Sequence, residues 1–393
     1  MSPPLDEQLL DDPDGLAAAD RSGALLSLAT AGPQVREAVV RGQEAGVCRM
    51  ADGDRPRSVL VASLGGSGIV GDVLAALAGA GSAMPVTVRR GLPLPGWVGP
   101  LDLVMAVSLS GRARETVALA AEAGRRGARL LTVGAPGSPL ADVCAQARGI
   151  HVPITVQRHR DAPEQGPVSS RAGMWSLLVP LLQAADAIGA VEVSDAVLAR
   201  TADALDQEAD AARPSSDSFV NPAKALALQL AGHVPVVLAD GPLTDVVGRR
   251  TVAMLARTAR TPAMHGSLPD DASEIVATFD GPFTPGAGNV FADPFLDPPT
   301  GPTQRLLLVR EPTPEPGLDD QSAFERAALV ERVRELAQDV GVPVSEVSPE
   351  RGDDLVRLAS LVARTDFMAT YLALGMGLDP TASPHVADLR EAR

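Results

Sequence analysis

The stretch VLVASLGGSGIVGD (residues 59–72) constrains the fold of this chain more than any other. Six residues that suit a buried parallel strand run into the turn GGSG (65–68), and an apolar helical pattern begins directly behind it. Glycine lets the backbone approach a ligand closely, and the N–H groups at a helix start favour negative charge. The stretch is therefore typical of an α/β fold, and its turn is either a phosphate site or a tight connection without a ligand.

A second stretch, DLVMAVSLSGRARET (residues 102–116), repeats this pattern of strand, polar turn and helix. It offers hydroxyl groups and positive charges, from Ser108, Ser110, Thr116, Arg112 and Arg114. Both turns would follow the carboxyl ends of parallel strands, where open α/β sheets bind ligands, so the two can converge on one anion. Residues 66–71 (GSGIVG) have the spacing G-x-G-x-x-G, but the next strand ends in Arg89 and Arg90 and no acidic residue follows it, which disfavours a dinucleotide. The motif G-x-x-x-x-G-K-[ST] is absent, which disfavours a nucleotide P-loop.

Composition and cysteine usage limit the partners. The 49 acidic and 34 basic residues give a formal net charge of −15, which argues against nucleic acid because binding it needs a basic face. Cys48 and Cys144 are far apart, and the first residues lack the pattern of a signal peptide, so we expect a reduced, cytoplasmic compartment. No apolar run is long enough to span a membrane, and no Cys/His spacing resembles a zinc site.

Strand-like and helical segments alternate along the chain. Five strand-like segments between residues 59 and 154 predict a five-stranded parallel sheet with right-handed crossovers: VLVASL, VTVRR, DLVMAVS, RLLTVG and GIHVPI. Residues 1–45 contain one or two helices, which we expect to pack on this first domain. Farther along, VPVVLAD, SEIVATF, QRLLLVR and PVSEVSP alternate with helical patterns and predict a second, smaller α/β sheet.

The paired turns resemble the phosphosugar-binding turns of sugar isomerase (SIS) domains. The order of motifs from about residue 59 to residue 390 is similar to that of the bifunctional phosphoglucose/phosphomannose isomerases, which carry two SIS domains in tandem. The resemblance implies an α/β fold with two SIS-type domains, each a parallel sheet flanked by helices in a flavodoxin-like three-layer sandwich. It implies a homodimer and no cofactor. The phosphate-binding residues that it implies are Gly66, Ser67, Ser108, Ser110 and Arg112.

The resemblance also sets the expected domain boundaries. They are an N-terminal helical segment (1–45), a first SIS domain with the phosphosugar-binding turns (46–190), a helical linker (191–220), a second SIS-like domain (221–376) and a C-terminal tail (377–393). Within the second domain, residues 280–302 form a Pro/Gly loop with three phenylalanines, which is either a lid or a surface insertion.

Four positions match catalytic sites of the family, and three of them are substituted. Arg171 matches an arginine that binds the sugar phosphate and stabilises the reaction intermediate. Arg257 stands where the family has a glutamate base, Ser273 at or near its ring-opening histidine, and Arg390 where it has a lysine. Arginine cannot lose its proton in a protein, so Arg257 cannot be a general base, and serine does not replace an imidazole near neutral pH unless it is activated.

Two functions are consistent with the sequence. The first is a sugar-phosphate-binding protein in which the isomerisation of glucose 6-phosphate and mannose 6-phosphate is weakened or lost. The second is an active aldose-ketose isomerase that works through an enediolate without a metal. In that case Asp270, Asp271 or Glu274 would replace the base, and His265 or His385 would open the ring.

We call the two polar turns, which carry Ser67 and Ser108 with Ser110, the first and the second serine turn. The second serine turn favours a sugar-phosphate-binding protein with weakened or lost isomerisation. Arg112 and Ala113 stand where the family prefers an amide and a threonine, so one charge is gained and one hydroxyl is lost. This exchange suits binding an anion more than catalysis. A purely structural double domain would require both serine turns to be empty.

Overall fold

The computed structural model describes residues 5–79, 81–154, 172–285, 301–312, 321–382 and 385–386. The chain forms two compact units, which we call the first unit (residues 29–206) and the second unit (residues 207–393 together with 1–28). The expectation that residues 1–45 pack entirely on the first domain is wrong for residues 5–28, because these belong to the second unit. The finer domain boundaries remain a prediction.

Helices and strands alternate through both units. The helices of the described residues are α1 (Glu7–Leu10), α2 (Pro13–Ala19), α3 (Ala24–Ala29), α4 (Ala31–Ala45), α5 (Gly68–Ala78), α6 (Arg114–Arg125), α7 (Pro139–Gln146), α8 (Met174–Ala187), α9 (Asp195–Ala211), α10 (Pro222–Leu230), α11 (Pro242–Arg257), α12 (Ala272–Ala277), α13 (Gln321–Asp339) and α14 (Asp354–Gly375). The strands are β1 (Ser58–Ser63), β2 (Val86–Arg89), β3 (Asp102–Ser108), β4 (Arg129–Gly134), β5 (Ile150–Pro153), β6 (His233–Ala239), β7 (Met264–Ser267), β8 (Thr303–Val309) and β9 (Val344–Val347). Within this described part, no helix is long and apolar enough to cross a bilayer.

The first unit is built on a parallel sheet with the strand order β2-β1-β3-β4-β5, so all five predicted strands are confirmed. Every residue of β1 and β3 is buried, because helices cover both faces of the sheet. On one face, Leu60 and Ala62 share a core with residues of α6 and α7. On the other face α5 packs closely, since a Cβ on Gly71 would lie 3.2 Å from Val61.

The beginning of β3 is fixed by a buried carboxylate. Asp102 is fully buried and accepts hydrogen bonds from Arg57 (3.0 and 2.7 Å), the Ser58 hydroxyl (2.8 Å) and the Gly99 amide (2.9 Å). Burial alone would raise the pKa of Asp102, but these hydrogen bonds and the charge of Arg57 outweigh it and hold that pKa below its ordinary value. Asp102 therefore stays ionised at neutral pH and ties β3 to the loop before it and to β1.

The second unit contains a four-stranded parallel sheet with the order β7-β6-β8-β9. The segment SEIVATF is not a strand: its residues form α12 and the turn behind it, and Ile275 and Phe279 reach the core together. Their spacing of four residues is that of one helix face. The edge strand of this sheet is instead the short segment MHGS (264–267), whose four residues carry no clear alternation of apolar side chains.

A buried lysine attaches the N-terminal helices to the second unit. Lys224 in α10 is fully buried, and its ammonium donates hydrogen bonds to the carbonyl oxygens of Leu10 (2.5 Å), Pro214 (2.7 Å) and Ser216 (2.7 Å). It also lies 5.4 Å from the centre of the Tyr371 ring. Burial lowers the pKa of Lys224. It is the only lysine in the sequence beside 33 arginines, which suits a site that demands three donors on a compact cation.

Candidate active site

The two serine turns lie at the point where the strand order of the first sheet reverses. The chain passes from β1 to β2 on one side and then to β3 on the other, so the crevice of the sheet opens between the carboxyl ends of β1 and β3. The register pairs Ser63 with Val107, and the two turns begin directly after these positions. Neighbouring strands are about 4.8 Å apart, which brings both turns to one edge of the sheet side by side.

The first turn ends at an uncapped helix start. Gly65 has a φ of 62°, a left-handed conformation that glycine adopts readily. Gly65–Ser67 form one turn of 3-10 helix, which the Gly68 amide closes by donating to the Gly65 carbonyl oxygen, and the chain continues from this turn into α5. Ser67 precedes the helix, is only 6% exposed and makes no side-chain hydrogen bond to the first turn of α5. Backbone N–H groups at a helix start are anion donors when no side chain caps them, so this turn can receive an oxyanion.

The second turn also precedes a helix that its own N-cap residue does not cap. The N-cap of α6 is Ala113, which has no side-chain acceptor. The hydroxyl of Ser108, itself only 5% exposed, accepts a long hydrogen bond from the Ala113 amide (3.4 Å), and that of Ser110 accepts from the Arg112 amide (3.3 Å). Ser110 and Arg112 are exposed, whereas Thr116 is buried in α6. Two hydroxyls and one guanidinium therefore gather at this turn.

Two glycines hold the second turn against the end of β4. A Cβ on Gly134 would lie 2.2 Å from the carbonyl oxygen of Ser108, and one on Gly111 would lie 2.0 Å from the hydroxyl of Ser138. Gly111 also has a φ of 63°. A larger residue at position 134 would displace the backbone of Ser108, and one at position 111 would clash with the Ser138 side chain in a conformation that favours glycine, so close packing fixes where the Ser108 hydroxyl lies.

Arg90 belongs to the same edge, and the sequence analysis missed it. It directly follows β2, and its Nε atom lies 3.3 Å from the position that a Cβ would take on Gly68. Asp72 on α5 holds its guanidinium in an ion pair. Because Arg90 is about half exposed, this pair adds little stability, but it holds the guanidinium group beside the first turn. Its position after the strand next to β1 is the signal that could have identified it.

Arg171, the predicted ligand of the sugar phosphate, lies outside the described residues. The chain is described again from residue 172. Gly173, which precedes α8, lies against the second serine turn, since a Cβ on it would be 3.4 Å from the Leu109 side chain. The start of α8 is thus in contact with the turn that carries Ser108 and Ser110.

The substituted catalytic positions of the second unit do not come together in the described part of that unit. Arg257 is the last residue of α11, which begins at the carboxyl end of β6 and runs back along the sheet for 16 residues, about 24 Å. Ser273 is exposed on α12, which follows the carboxyl end of β7. Arg257 therefore lies toward the amino ends of the strands of the second sheet, and Ser273 lies near their carboxyl ends. Arg390 is outside the described residues.

The candidate substitute bases are surface residues of one turn. Asp270 and Glu274 are exposed, and Asp271 is half-buried. The carboxylate of Asp271 accepts a hydrogen bond from the Ser267 amide (2.8 Å), which is the behaviour of a residue that closes a turn.

The candidate ring-opening histidines have different surroundings. His265 lies in β7, packs on Gly248 and places its Nε2 atom 3.2 Å from a carboxylate oxygen of Asp245. Burial alone would raise the pKa of Asp245, but His265 and Arg249 outweigh it and lower that pKa. His385 is exposed. Across the described ranges, no three His, Cys, Asp or Glu side chains are grouped to hold a metal ion.

The corresponding reversal point of the second sheet, between β6 and β8, is closed by the protein itself. The carboxylate of Asp240 accepts hydrogen bonds from the Glu311 amide (2.8 Å) and the Thr244 hydroxyl (3.2 Å). The same hydroxyl accepts from the Gly241 amide (2.8 Å). A carboxylate thus stands where an anionic ligand would need donors, in keeping with the absence of a serine turn from this half of the sequence.

Comparison with known proteins finds similar sequences. Residues 219–392 match the bacterial phospho-glucose isomerase C-terminal SIS domain. The chain is 24% identical over 325 residues to the bifunctional phosphoglucose/phosphomannose isomerase of Caldicellulosiruptor bescii, and the match covers 82% of this chain and 85% of that protein.

Solved structures share the fold at low sequence identity. A hypothetical protein from Thermus thermophilus superimposes with a TM-score of 0.64 at 16% identity, over 99% of this chain and 98% of that one. A glucose-6-phosphate isomerase from Chlamydia trachomatis gives a TM-score of 0.61 at 13% identity, over 91% of this chain and 72% of that one. These likenesses concern the fold alone, which is two parallel sheets flanked by helices.

Proposed function

We propose that the chain is a member of the bifunctional phosphoglucose/phosphomannose isomerase family, to which it is similar in sequence, and that it binds a hexose 6-phosphate at the two serine turns of the first unit. We further propose that its isomerisation of glucose 6-phosphate and mannose 6-phosphate is weakened or lost. The phosphoryl group would lie at the starts of α5 and α6 and accept hydrogen bonds from their backbone N–H groups and from the serine hydroxyls.

A single observation carries the binding proposal. Two helix starts that their N-cap side chains leave uncapped lie at the carboxyl ends of adjacent strands, at the reversal point of the sheet. The hydroxyls of Ser67, Ser108 and Ser110 belong to these turns, and Arg90 and Arg112 add positive charge at the same edge. Local donors of this kind suit a phosphate even though the whole chain carries a formal net charge of −15.

The chemistry of the substituted positions carries the second part of the proposal. An aldose-ketose isomerase needs a base for the C–H proton and a group that opens the sugar ring. Arg257 cannot accept a proton at neutral pH, and Ser273 is an exposed serine on a helix surface. Asp271 is already engaged in its own turn. These residues suit recognition of a sugar phosphate better than proton transfer between two of its carbons.

Binding is tested by calorimetric titration of the full chain with glucose 6-phosphate and with mannose 6-phosphate. The double variant Ser108→Ala/Ser110→Ala should lower the affinity at least about tenfold, since each hydrogen bond to a charged group contributes about 1.5–3 kcal/mol. Ser194→Ala is the control matched to Ser110, because Ser194 is likewise exposed and its hydroxyl likewise accepts one long backbone hydrogen bond (3.4 Å). Equal affinities of the double variant and the control would refute the site.

Turnover is tested separately by a coupled assay for fructose 6-phosphate. We expect binding of both sugar phosphates with little or no product. Turnover that Arg171→Ala abolishes would instead establish the alternative, an active isomerase with substitute acid and base residues. The homodimer implied by the family resemblance and the cytoplasmic location expected from the cysteines and the first residues belong to the same proposal, and light scattering of the purified chain tests the dimer.

A further inference from the structure

An arginine that has no carboxylate partner among the described residues lies near the amino edge of the second sheet. Arg305 is the third residue of β8 and is half-buried. Its Nη1 group donates a hydrogen bond to the uncharged hydroxyl of Ser345 in β9 (2.9 Å). Burial lowers the pKa of Arg305, and no described carboxylate opposes this effect. The cation thus loses hydration without gaining an opposite charge.

The more deeply buried arginines in the described part of this unit are both paired. Arg250 lies 2.6 Å from a carboxylate oxygen of Asp366, and Arg310 lies 2.8 Å from one of Glu331. Acidic residues outnumber basic residues about two to one in the sequence of this unit, so carboxylates are not scarce. Because an unpaired charge is costly to bury, Arg305 is suited to a partner that the described residues do not supply.

A second basic side chain lies beside Arg305. His233 begins β6 and is paired with Thr303, two residues before Arg305, so His233 and Arg305 are on the same face of the sheet. The Nδ1 atom of His233 lies 3.1 Å from the Thr303 hydroxyl, whereas its Nε2 atom makes no hydrogen bond to a described residue. Burial and the charge of Arg305 lower the pKa of His233, and no described carboxylate offsets them. Two basic groups therefore lie together without an anion between them.

The remaining donors of this place are open to solvent. The Nε–H of Arg305 is enclosed, but its Nη2 group is not, and it makes no hydrogen bond to a described residue. Gln229 at the end of α10 is exposed, and its amide oxygen accepts a hydrogen bond from the Ser345 hydroxyl (2.7 Å). We call Arg305, His233, Ser345 and Gln229 the amino-edge cluster. It contains no acidic side chain and shares no residue with the serine turns.

We propose that the amino-edge cluster binds a small oxyanion, such as a phosphoryl, sulfate or carboxylate group, between Arg305 and His233. The Nη2 group of Arg305 would donate to one oxygen and the Nε2–H of His233 to another, as charge-assisted hydrogen bonds. The anion would supply the negative charge that the described residues around Arg305 lack. It would also favour the protonated form of His233, because an opposite charge nearby stabilises the charged form of a titratable group.

The test is an NMR pH titration of the histidine signals of the full chain, in which His233→Gln identifies the signal of His233 among the five histidines. Sodium sulfate stands for a phosphoryl group and sodium acetate for a carboxylate. Sodium chloride at equal ionic strength is the control, because screening alone weakens the repulsion from Arg305. We expect sulfate or acetate to raise the pKa of His233 by at least about 0.5 more than chloride does, since an opposite charge at close range changes a pKa by about 1–3. The anion with the larger effect identifies the preferred group.

Three variants show where the anion binds. Arg305→Gln should raise the pKa of His233 without added anion, by removing the repulsion, and should abolish the further rise with sulfate or acetate. Arg332→Gln removes an exposed guanidinium of α13 and should leave the response unchanged. Ser108→Ala/Ser110→Ala should weaken glucose 6-phosphate but leave the response of His233 unchanged.

Two results would overturn the proposal. The first is a response of His233 to sulfate and acetate that is no larger than its response to chloride. This comparison uses the unaltered chain, so it does not depend on the folding of any variant. The second is a response that persists in Arg305→Gln. Neither result bears on the titration with sugar phosphates.

Discussion

Replacing Lys224 by methionine should destabilise the second unit by about 3–5 kcal/mol. Methionine has nearly the same length but no donor, so the carbonyl oxygens of Leu10, Pro214 and Ser216 would lose a buried partner. Each unpaired buried polar group costs about 1–3 kcal/mol, and three carbonyl oxygens lose their donor here. That is a large share of the roughly 5–15 kcal/mol of stability that is typical of a domain.

Urea denaturation followed by circular dichroism measures this loss. Hydrogen exchange of residues 7–10 gives a local readout, because Lys224 holds the carbonyl of Leu10. The matched control is Arg332→Met, which removes an exposed cation paired with Glu335 and should cost less than about 1 kcal/mol. A loss of less than about 1 kcal/mol in Lys224→Met, or unchanged protection of residues 7–10, would refute the assignment of this lysine as the main attachment of the N-terminal helices.

Three further perturbations follow from the first unit. Asp102→Asn should cost about 1.5–3 kcal/mol at neutral pH; since the folded-state pKa of Asp102 is lowered, this stability is complete above the ordinary aspartate pKa and is lost as the pH falls through the lowered value. Urea melts of both proteins should therefore converge in acid, and a constant difference would contradict the ionised carboxylate. Gly134→Ala should displace Ser108 and weaken glucose 6-phosphate at least about tenfold, whereas Gly96→Ala, where a Cβ meets nothing within 4 Å, should not. Arg90→Gln should weaken the same ligand about threefold to tenfold at low salt, and an effect that does not shrink as salt is added would argue against a charge contribution.

The first sheet could be predicted from sequence because both of its faces are covered. Strands buried on two sides are continuous apolar runs bounded by polar turns, as in β1 and β3, and these runs are unambiguous when glycines follow them. The edge strand β7 has only the four residues MHGS and one neighbouring strand, so it carries no such signal. SEIVATF has a strand-like composition, but it forms a helix, because a helix lets both Ile275 and Phe279 pack into one core.

The features that could not be predicted from the sequence depend on contacts between residues far apart in the chain. Residues 5–28 join the second unit through partners more than two hundred positions away: Leu10 accepts from Lys224, Asp11 from Ser218, and Asp6 donates to Gly375. No local sequence pattern predicts such pairings. Arg90 is likewise found only when β2 is seen beside β1. The serine turns were identifiable because glycine, serine and helix start are adjacent in the chain, whereas residues that reach the same edge from other strands are not.

The burial of Lys224 also determines how the folded chain reacts with amine-directed reagents. The positively charged side chains at the protein surface are arginines, whereas the only side-chain amine of the sequence, that of Lys224, is buried. A succinimidyl ester would reach position 224 only when that covering opens. The rate of acylation of Lys224 therefore reports local unfolding of the second unit, and it can be measured as one mass shift on one peptide.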